Sequence, residues 1–244
     1  MKRSWLVLLL LPLHWIDHSP ASGEGIYDAK PWLDQEFPSL LVLYKSLHSH
    51  PELSFHETNT SARMAAEWRQ AGYEVTTNVG GFGVVAVLRN GPGHTLMLRT
   101  ELDALPVTEE TGLPFASTVK TRDDAGKEVG VDHACGHDIH MTSLVGTARL
   151  LALLTNRWRG TLVLIAQPAE ERGGGAKAMI ADGLFERFPR PDYCLAFHDS
   201  AETPAGLITS SITITVGKLF TSWRYASRWS SMSLYAKRAS SGPY

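Results

Sequence analysis

The chain has 244 residues, of which 43% are hydrophobic and 20% charged, with a formal net charge of −2. That is ordinary globular composition, and the length is enough for one good core or two small ones. The near-neutral balance leaves no basic footprint for nucleic acid or for an anionic membrane, so neither is expected as a partner.

Lys2 and Arg3 precede an apolar run from Trp5 to Leu13, and small residues follow at Ser19, Ala21, Ser22 and Gly23. A basic start, a short apolar segment and a small-residue exit predict a secretory signal peptide over residues 1–23, hence a secreted or periplasmic protein. The run is short for a membrane span.

Phe37 to His50 reads as an amphipathic helix with Leu40, Leu41, Leu43, Tyr44 and Leu47 on one face, ended by Pro51. A second helix is expected from Glu57 to Ala71, burying Met64, Ala65 and Trp68 and stopping at Gly72. Strands follow at Tyr73–Thr76, Val84–Leu88 and Thr95–Arg99. With turns and no helix between them, they are expected to be antiparallel neighbours. The glycine-rich turn at Gly80–Gly83 lacks a following helix and is not read as a phosphate cradle. Arg99 to Pro106 closes the third strand with Glu101 and Asp103, and a long polar loop runs from about Thr108 to Asp132.

The densest chemistry lies at His133-Ala134-Cys135-Gly136-His137-Asp138-Ile139-His140. Imidazoles, a thiol and a carboxylate at that density are the raw material of a transition-metal site. Cys135 and His137 can present two ligands from one tight loop, with Gly136 permitting the turn. Asp138 can cap a helix whose apolar face is Met141, Leu144, Val145, Ala148 and Leu151. His133 and His140 stay undecided between ligation, ligand support and packing.

Gly160 to Gln167 is an apolar strand expected to be buried on both faces. It ends at Pro168-Ala169-Glu170-Glu171, where one carboxylate can bind metal while its neighbour stays free to move protons. Gly173-Gly174-Gly175 leads into a helix at Ala176–Asp182. Tyr193 to Phe197 reads as another buried strand, ending at His198, which can reach the same rim. Cys194 is expected to be a buried small hydrophobe, with a Cys135–Cys194 disulfide as the weaker alternative. The alternation implies a three-layer α/β/α domain of mixed sheet with its chemistry at strand C-terminal ends. Ile208 to Val216 still reads as a strand, whereas Lys218 to Tyr244 has no acidic residue and no clear period.

Four segments occur here in one order: His50-Pro-Glu-Leu-Ser-Phe55, Arg99-x-x-x-Asp-Ala-Leu-Pro106, His133-Ala-Cys-Gly-His-Asp-x-His140 and Gln167-Pro-Ala-Glu-Glu171. In this the chain resembles the metal-dependent amidohydrolases that include hippurate hydrolase, N-acyl-amino-acid amidohydrolases and indole-acetyl-amino-acid hydrolases, relatives of aminoacylase and carboxypeptidase G-type enzymes. The resemblance covers roughly residues 35 to 217. It implies two divalent metal ions (zinc, manganese, cobalt or nickel), with Cys135 as the bridging ligand and His137, Glu171 and His198 as further ligands. It implies Glu170 as general base and Asp103 as the acidic residue behind the site. The substrates it implies are N-acyl amino acids or small peptides.

The same resemblance implies an incomplete catalytic metallopeptidase-like domain over residues 24–207. Residues 208–217 would begin a satellite dimerisation domain, so a homodimer would require the rest of that domain. After Gly217 the family pattern is lost and a later histidine ligand has no counterpart, so residues 218–244 are expected to be a disordered or frameshifted tail and the chain a truncated enzyme of low activity. Two rivals remain: a hydrolase using Cys135 as nucleophile with His133 or His137, and a non-catalytic metal-binding fragment.

Overall fold

A computed structural model describes residues 27–200. The expected leader, the strand at Ile208–Val216 and the tail beyond it lie outside these residues. The chain divides after Gln35. Before that point it begins a helix, with Lys30 Nζ 2.6 Å from Asp34 Oδ2 one turn on.

The elements in order are helices α1 (Lys30–Ser49) and α2 (Thr58–Gln70), then strands β1 (Glu74–Val79), β2 (Gly83–Asn90) and β3 (Thr95–Glu101). A short hairpin of β4 (Lys120–Arg122) and β5 (Glu128–Gly130) precedes α3 (His137–Leu153). Then come β6 (Gly160–Gln167), α4 (Gly175–Ala181), α5 (Leu184–Arg187) and β7 (Tyr193–Ala196). Among the described residues, five strands form a mixed sheet in the order β1-β2-β6-β3-β7.

The two-residue period of the strands builds two cores. Val84 and Ala86 of β2, Leu98 of β3 and Leu162, Leu164 and Ala166 of β6 face one way. They pack with Leu40, Leu43 and Leu47 of α1, Met64 and Trp68 of α2, and Met141 and Val145 of α3. Val85, Val87, Met97, Val163 and Ile165 face the other way, against Met179 and Leu184 from α4 and α5. This is the expected α/β/α layering, and β6 is buried on both faces as its unbroken apolar run requires.

Several expectations need correction. β2 and β3 are not neighbours: β6 lies between them, antiparallel to β2 and parallel to β3. A strand apolar on both faces gains most in the middle of a sheet, and the turn at Asn90–His94 is long enough to let it in. His94 accepts a hydrogen bond from the Thr161 amide at 2.9 Å, which fixes that insertion. The long loop is not structureless, since it holds the β4–β5 hairpin. α1 starts before Phe37 and carries Pro38 inside it. β7 is not buried: among the described residues it pairs only with β3, and Tyr193, Cys194 and Leu195 are exposed. Cys194 is therefore an exposed thiol, and it and Cys135 are both free, with no disulfide between them.

Candidate metal centre

The site follows from strand direction. β3, β6 and β7 are mutually parallel, with Glu101 opposite Gln167 and Arg99 opposite Ala196. Whatever follows each strand therefore emerges at one edge: Asp103 after β3, Glu170 and Glu171 after β6, His198 after β7. The amide of Leu102 donates to Gln167 O at 2.9 Å and that of Ala104 to Glu52 O at 2.8 Å, which pins the exits together.

Asp103 is fully buried and organises this edge. Its Oδ2 accepts the Ser54 hydroxyl at 2.6 Å. Oδ1 accepts the Glu170 amide and Oδ2 the Glu171 amide, each at 3.0 Å. Burial works against its charge, but the His137 ring beside it and the bonds from Ser54 and the Glu171 amide outweigh burial and hold its pKa below the usual range. Asp103 thus holds the two amides that follow β6 from beneath this edge.

His137 opens α3 and is almost wholly buried. Its Nδ1–H donates to the Asp103 carbonyl oxygen at 2.8 Å. That bond turns Nε2 toward the Glu170–Glu171 turn, and a ligating histidine is usually oriented through its other nitrogen in this way. Among the described residues Nε2 is buried without a hydrogen-bond partner, as is Glu171 Oε1, and the two lie 3.7 Å apart. Ligand atoms about 2.0–2.2 Å from one zinc ion in a tetrahedron sit roughly 3.4 Å apart. Glu170 Oε2 lies 3.9 Å from the same nitrogen. On the other side Cys135 Sγ is 3.4 Å from His198 Nε2. The ligand atoms of Cys135, His137 and His198 lie within 4.8 Å of one another, and so do those of His137, Glu170 and Glu171. Thiolate, imidazole and carboxylate on two overlapping sets that share His137 fit divalent metal.

The electrostatics reflect how closely these groups crowd one another. Burial opposes a charge on His137, but Asp103, Cys135 and Glu101 overcome burial and push it up to about 11. The Cys135 sulfur raises His198 to about 9. His137 and His198 in turn lower the thiol of Cys135. Burial raises Glu170, with Arg99, 4.0 Å away, pulling the other way.

The undecided residues are now placed. His133 is buried, neither ring nitrogen has a hydrogen-bond partner, and burial drives its pKa down to about 3, so it is a neutral ring. His140 is buried between carboxylates, with Nδ1 3.2 Å from Glu101 Oε2 and Nε2 2.8 Å from Asp199 Oδ1. Its ring centroid is 4.4 Å from that of His198, so it stands behind that side chain. Asp138 does not cap α3. Gly136 is the capping residue, with φ 73, and the Asp138 carboxylate reaches His48 Nδ1 at 2.6 Å. The φ at position 136 favours glycine, and a Cβ there would lie 2.5 Å from Asp199 Oδ1 and displace that carboxylate. Glu101, Asp199, Ser54 and Glu57 belong to the surroundings of the site without having been assigned a part. The first two stood beside predicted residues, and the last two lie in or just after the His50–Phe55 segment.

Residues 97–238 match the family model of peptidase family M20/M25/M40. Hippurate hydrolase from Campylobacter jejuni is 45% identical over 154 residues, which cover 63% of this chain and 37% of that protein. Thermostable carboxypeptidase 1 from Saccharolobus solfataricus is 41% identical over 175 residues, covering 70% of this chain and 42% of that one. The crystal structure of the YXEP protein of Bacillus subtilis, described as a dinuclear metal-binding peptidase of the M20 family, superposes with a TM-score of 0.63 at 31% identity. It covers 73% of this chain and 48% of that one. The chain thus spans less than half the length of these relatives. With more than half of its length matched, the chain belongs to peptidase family M20/M25/M40.

Proposed function

We propose that the chain forms the metal-binding part of a hydrolase that cleaves the amide bond of N-acyl amino acids or small peptides. The observation that carries this reading is the pair of buried, unpartnered atoms His137 Nε2 and Glu171 Oε1, with the Glu170 carboxylate beside them. Cys135, His137, Glu171 and His198 would hold two divalent ions, whose chemistry when bound is to polarise a carbonyl and to make water acidic near neutral pH. Metal identity follows from availability as much as from ligands, and zinc, manganese, cobalt and nickel all suit this set.

Glu170 is the group that moves the proton. Its carboxyl is half-buried, its pKa is raised by burial, and its backbone is fixed by Asp103. A base poised nearer neutrality accepts a proton from water and can give it up again. In R–CO–NH–R′ plus water, the C–N bond breaks and a C–O bond forms. Glu170 carries one proton of the water to the leaving nitrogen, and the second, left on the new carboxyl group, also passes to the amine, giving a carboxylate and an ammonium. The relatives named hippurate hydrolase and carboxypeptidase support the acyl-amino-acid and peptide readings respectively.

The test is to express the chain, measure bound metal by elemental analysis, and assay hippurate beside a Glu170→Gln variant. Metal in both proteins is expected, with low hydrolysis in the unsubstituted chain and less still in the variant. Equal rates would remove Glu170 as the base, and turnover that survives chelation would favour a thiol nucleophile at Cys135. The basic, apolar and small-residue succession of residues 1–23 supports export, and N-terminal sequencing of the secreted protein would show cleavage near Gly23.

A further inference from the structure

The turn that carries Glu170 and Glu171 is held by more than Asp103. Three successive amides, of Ala169, Glu170 and Glu171, each donate to a buried carboxylate. The second and third go to Asp103. The first goes to Glu57 Oε1 at 2.6 Å.

Glu57 stands immediately before α2, on a different element from every expected ligand. It is 0% exposed, and its Oε2 has no hydrogen-bond partner. Leaving a carboxyl oxygen buried and unpaired is costly, so its other oxygen must be needed where it is. What that oxygen holds is itself strained. Ala169 is fully buried and has φ 45, a left-handed conformation that a residue with a Cβ adopts only when its surroundings impose it. Beyond it, the amides of Gly174 and Gly175 both donate to the Ala169 carbonyl, at 3.2 and 3.3 Å, closing the turn.

We infer that Glu57 is a positioning residue for the metal centre: its buried carboxyl clamps the Ala169 amide and so fixes the strained turn that aims Glu170 and Glu171 at His137. The inference rests on the functional reading given above. Groups that orient ligands from behind commonly contribute tenfold to a hundredfold in metal affinity.

The test is zinc affinity of the full chain, measured by competition with a chromophoric chelator. Glu57→Met keeps the volume and removes the acceptor, and should bind zinc at least tenfold more weakly. Glu57→Gln keeps an acceptor oxygen and should stay within threefold of the unsubstituted chain. Adding Ala169→Gly to Glu57→Met should recover at least threefold, because glycine adopts that φ without a clamp. Unchanged affinity in Glu57→Met overturns the inference. So does a loss, by misfolding or otherwise, that Ala169→Gly leaves unrecovered, since that marks Glu57 as support for the core alone. In the unsubstituted chain the Ala169 amide should exchange hydrogen as slowly as the β6 amides, and fast exchange there also overturns it. If the unsubstituted chain binds no zinc, the metal centre itself fails, and the exchange measurement decides the clamp separately.

Discussion

Nε2 of His137 and Oε1 of Glu171 face each other across 3.7 Å, both buried and neither with a hydrogen-bond partner. Buried polar atoms without partners cost stability, and an ion that bridges them removes the cost. Zinc at a hundred times its dissociation constant should stabilise the chain by about 2.7 kcal/mol. Denaturant titration with and without zinc measures this, and Glu171→Ala should abolish most of the gain. Equal midpoints with and without zinc would show that the pair is not a ligand pair.

Binding should release protons. His137 is pushed up to about 11 and His198 to about 9, so both rings are protonated at neutral pH in the metal-free chain. A ligating imidazole must be neutral. The sign follows: raised histidines stabilise the metal-free fold fully below their ordinary value of about 6.5, and that stability is lost as pH rises through 9 to 11. Metal affinity therefore rises with pH from neutrality towards 9. Calorimetry in two buffers of different ionisation heat should show net proton release, and identical heats would contradict it.

Glu170→Gln should lower turnover by about 10²- to 10⁴-fold, the usual contribution of a positioned base. Bound metal should stay nearly the same, because glutamine keeps the volume of Glu170 and leaves Cys135, His137, Glu171 and His198 in place. Loss of metal together with activity would make Glu170 a ligand instead.

Glu57 gives a prediction for stability against pH. Burial raises its pKa, so the fold favours its protonated form. Its contribution is fully present below the ordinary glutamate value of about 4.3 and is lost as pH rises through the raised one. Glu57→Gln cannot ionise, so it should be more stable than the unsubstituted chain at pH 7, with the difference shrinking at pH 4. Urea midpoints at the two pH values test this, and a constant difference would show that ionisation is not involved.

Trp68 is 0% exposed among α1, α2, α3 and the sheet. Trp68→Ala should destabilise the fold by about 3–5 kcal/mol, read as a lower denaturant midpoint.

Much of this was legible because periodicity reports burial directly. The apolar face of α2, with Met64, Ala65 and Trp68, is buried as its spacing implies, and β6 has the bounds read from its composition. Periodicity does not report neighbours. Nothing in β2 or β3 announces that a strand sixty residues later enters between them. The same holds in the site. Cys135, His137, Glu170, Glu171 and His198 were visible as residue types suited to metal. The Asp138 carboxylate, expected as the cap of α3, gives Oδ2 to His48, 90 positions away, while Oδ1 accepts only the amide of the adjacent Ile139. The exposure of β7 was hidden for a related reason, since an apolar tetrapeptide reads alike at the middle and at the rim of a sheet.

The place of β6 in the sheet also sets an order of events on the ribosome. When residue 101 has emerged, β1 and β2 can pair, but β2 and β3 have no common partner. Both keep an open rim until Gly160–Gln167 is made, and the strand that arrives late is the one in the middle. Non-local pairing of this kind is slow and leaves sticky edges in the meantime. A nascent chain stalled between β3 and β6 should therefore engage holdase chaperones, and release from them should coincide with the emergence of Glu170 and Glu171, the residues that follow directly behind.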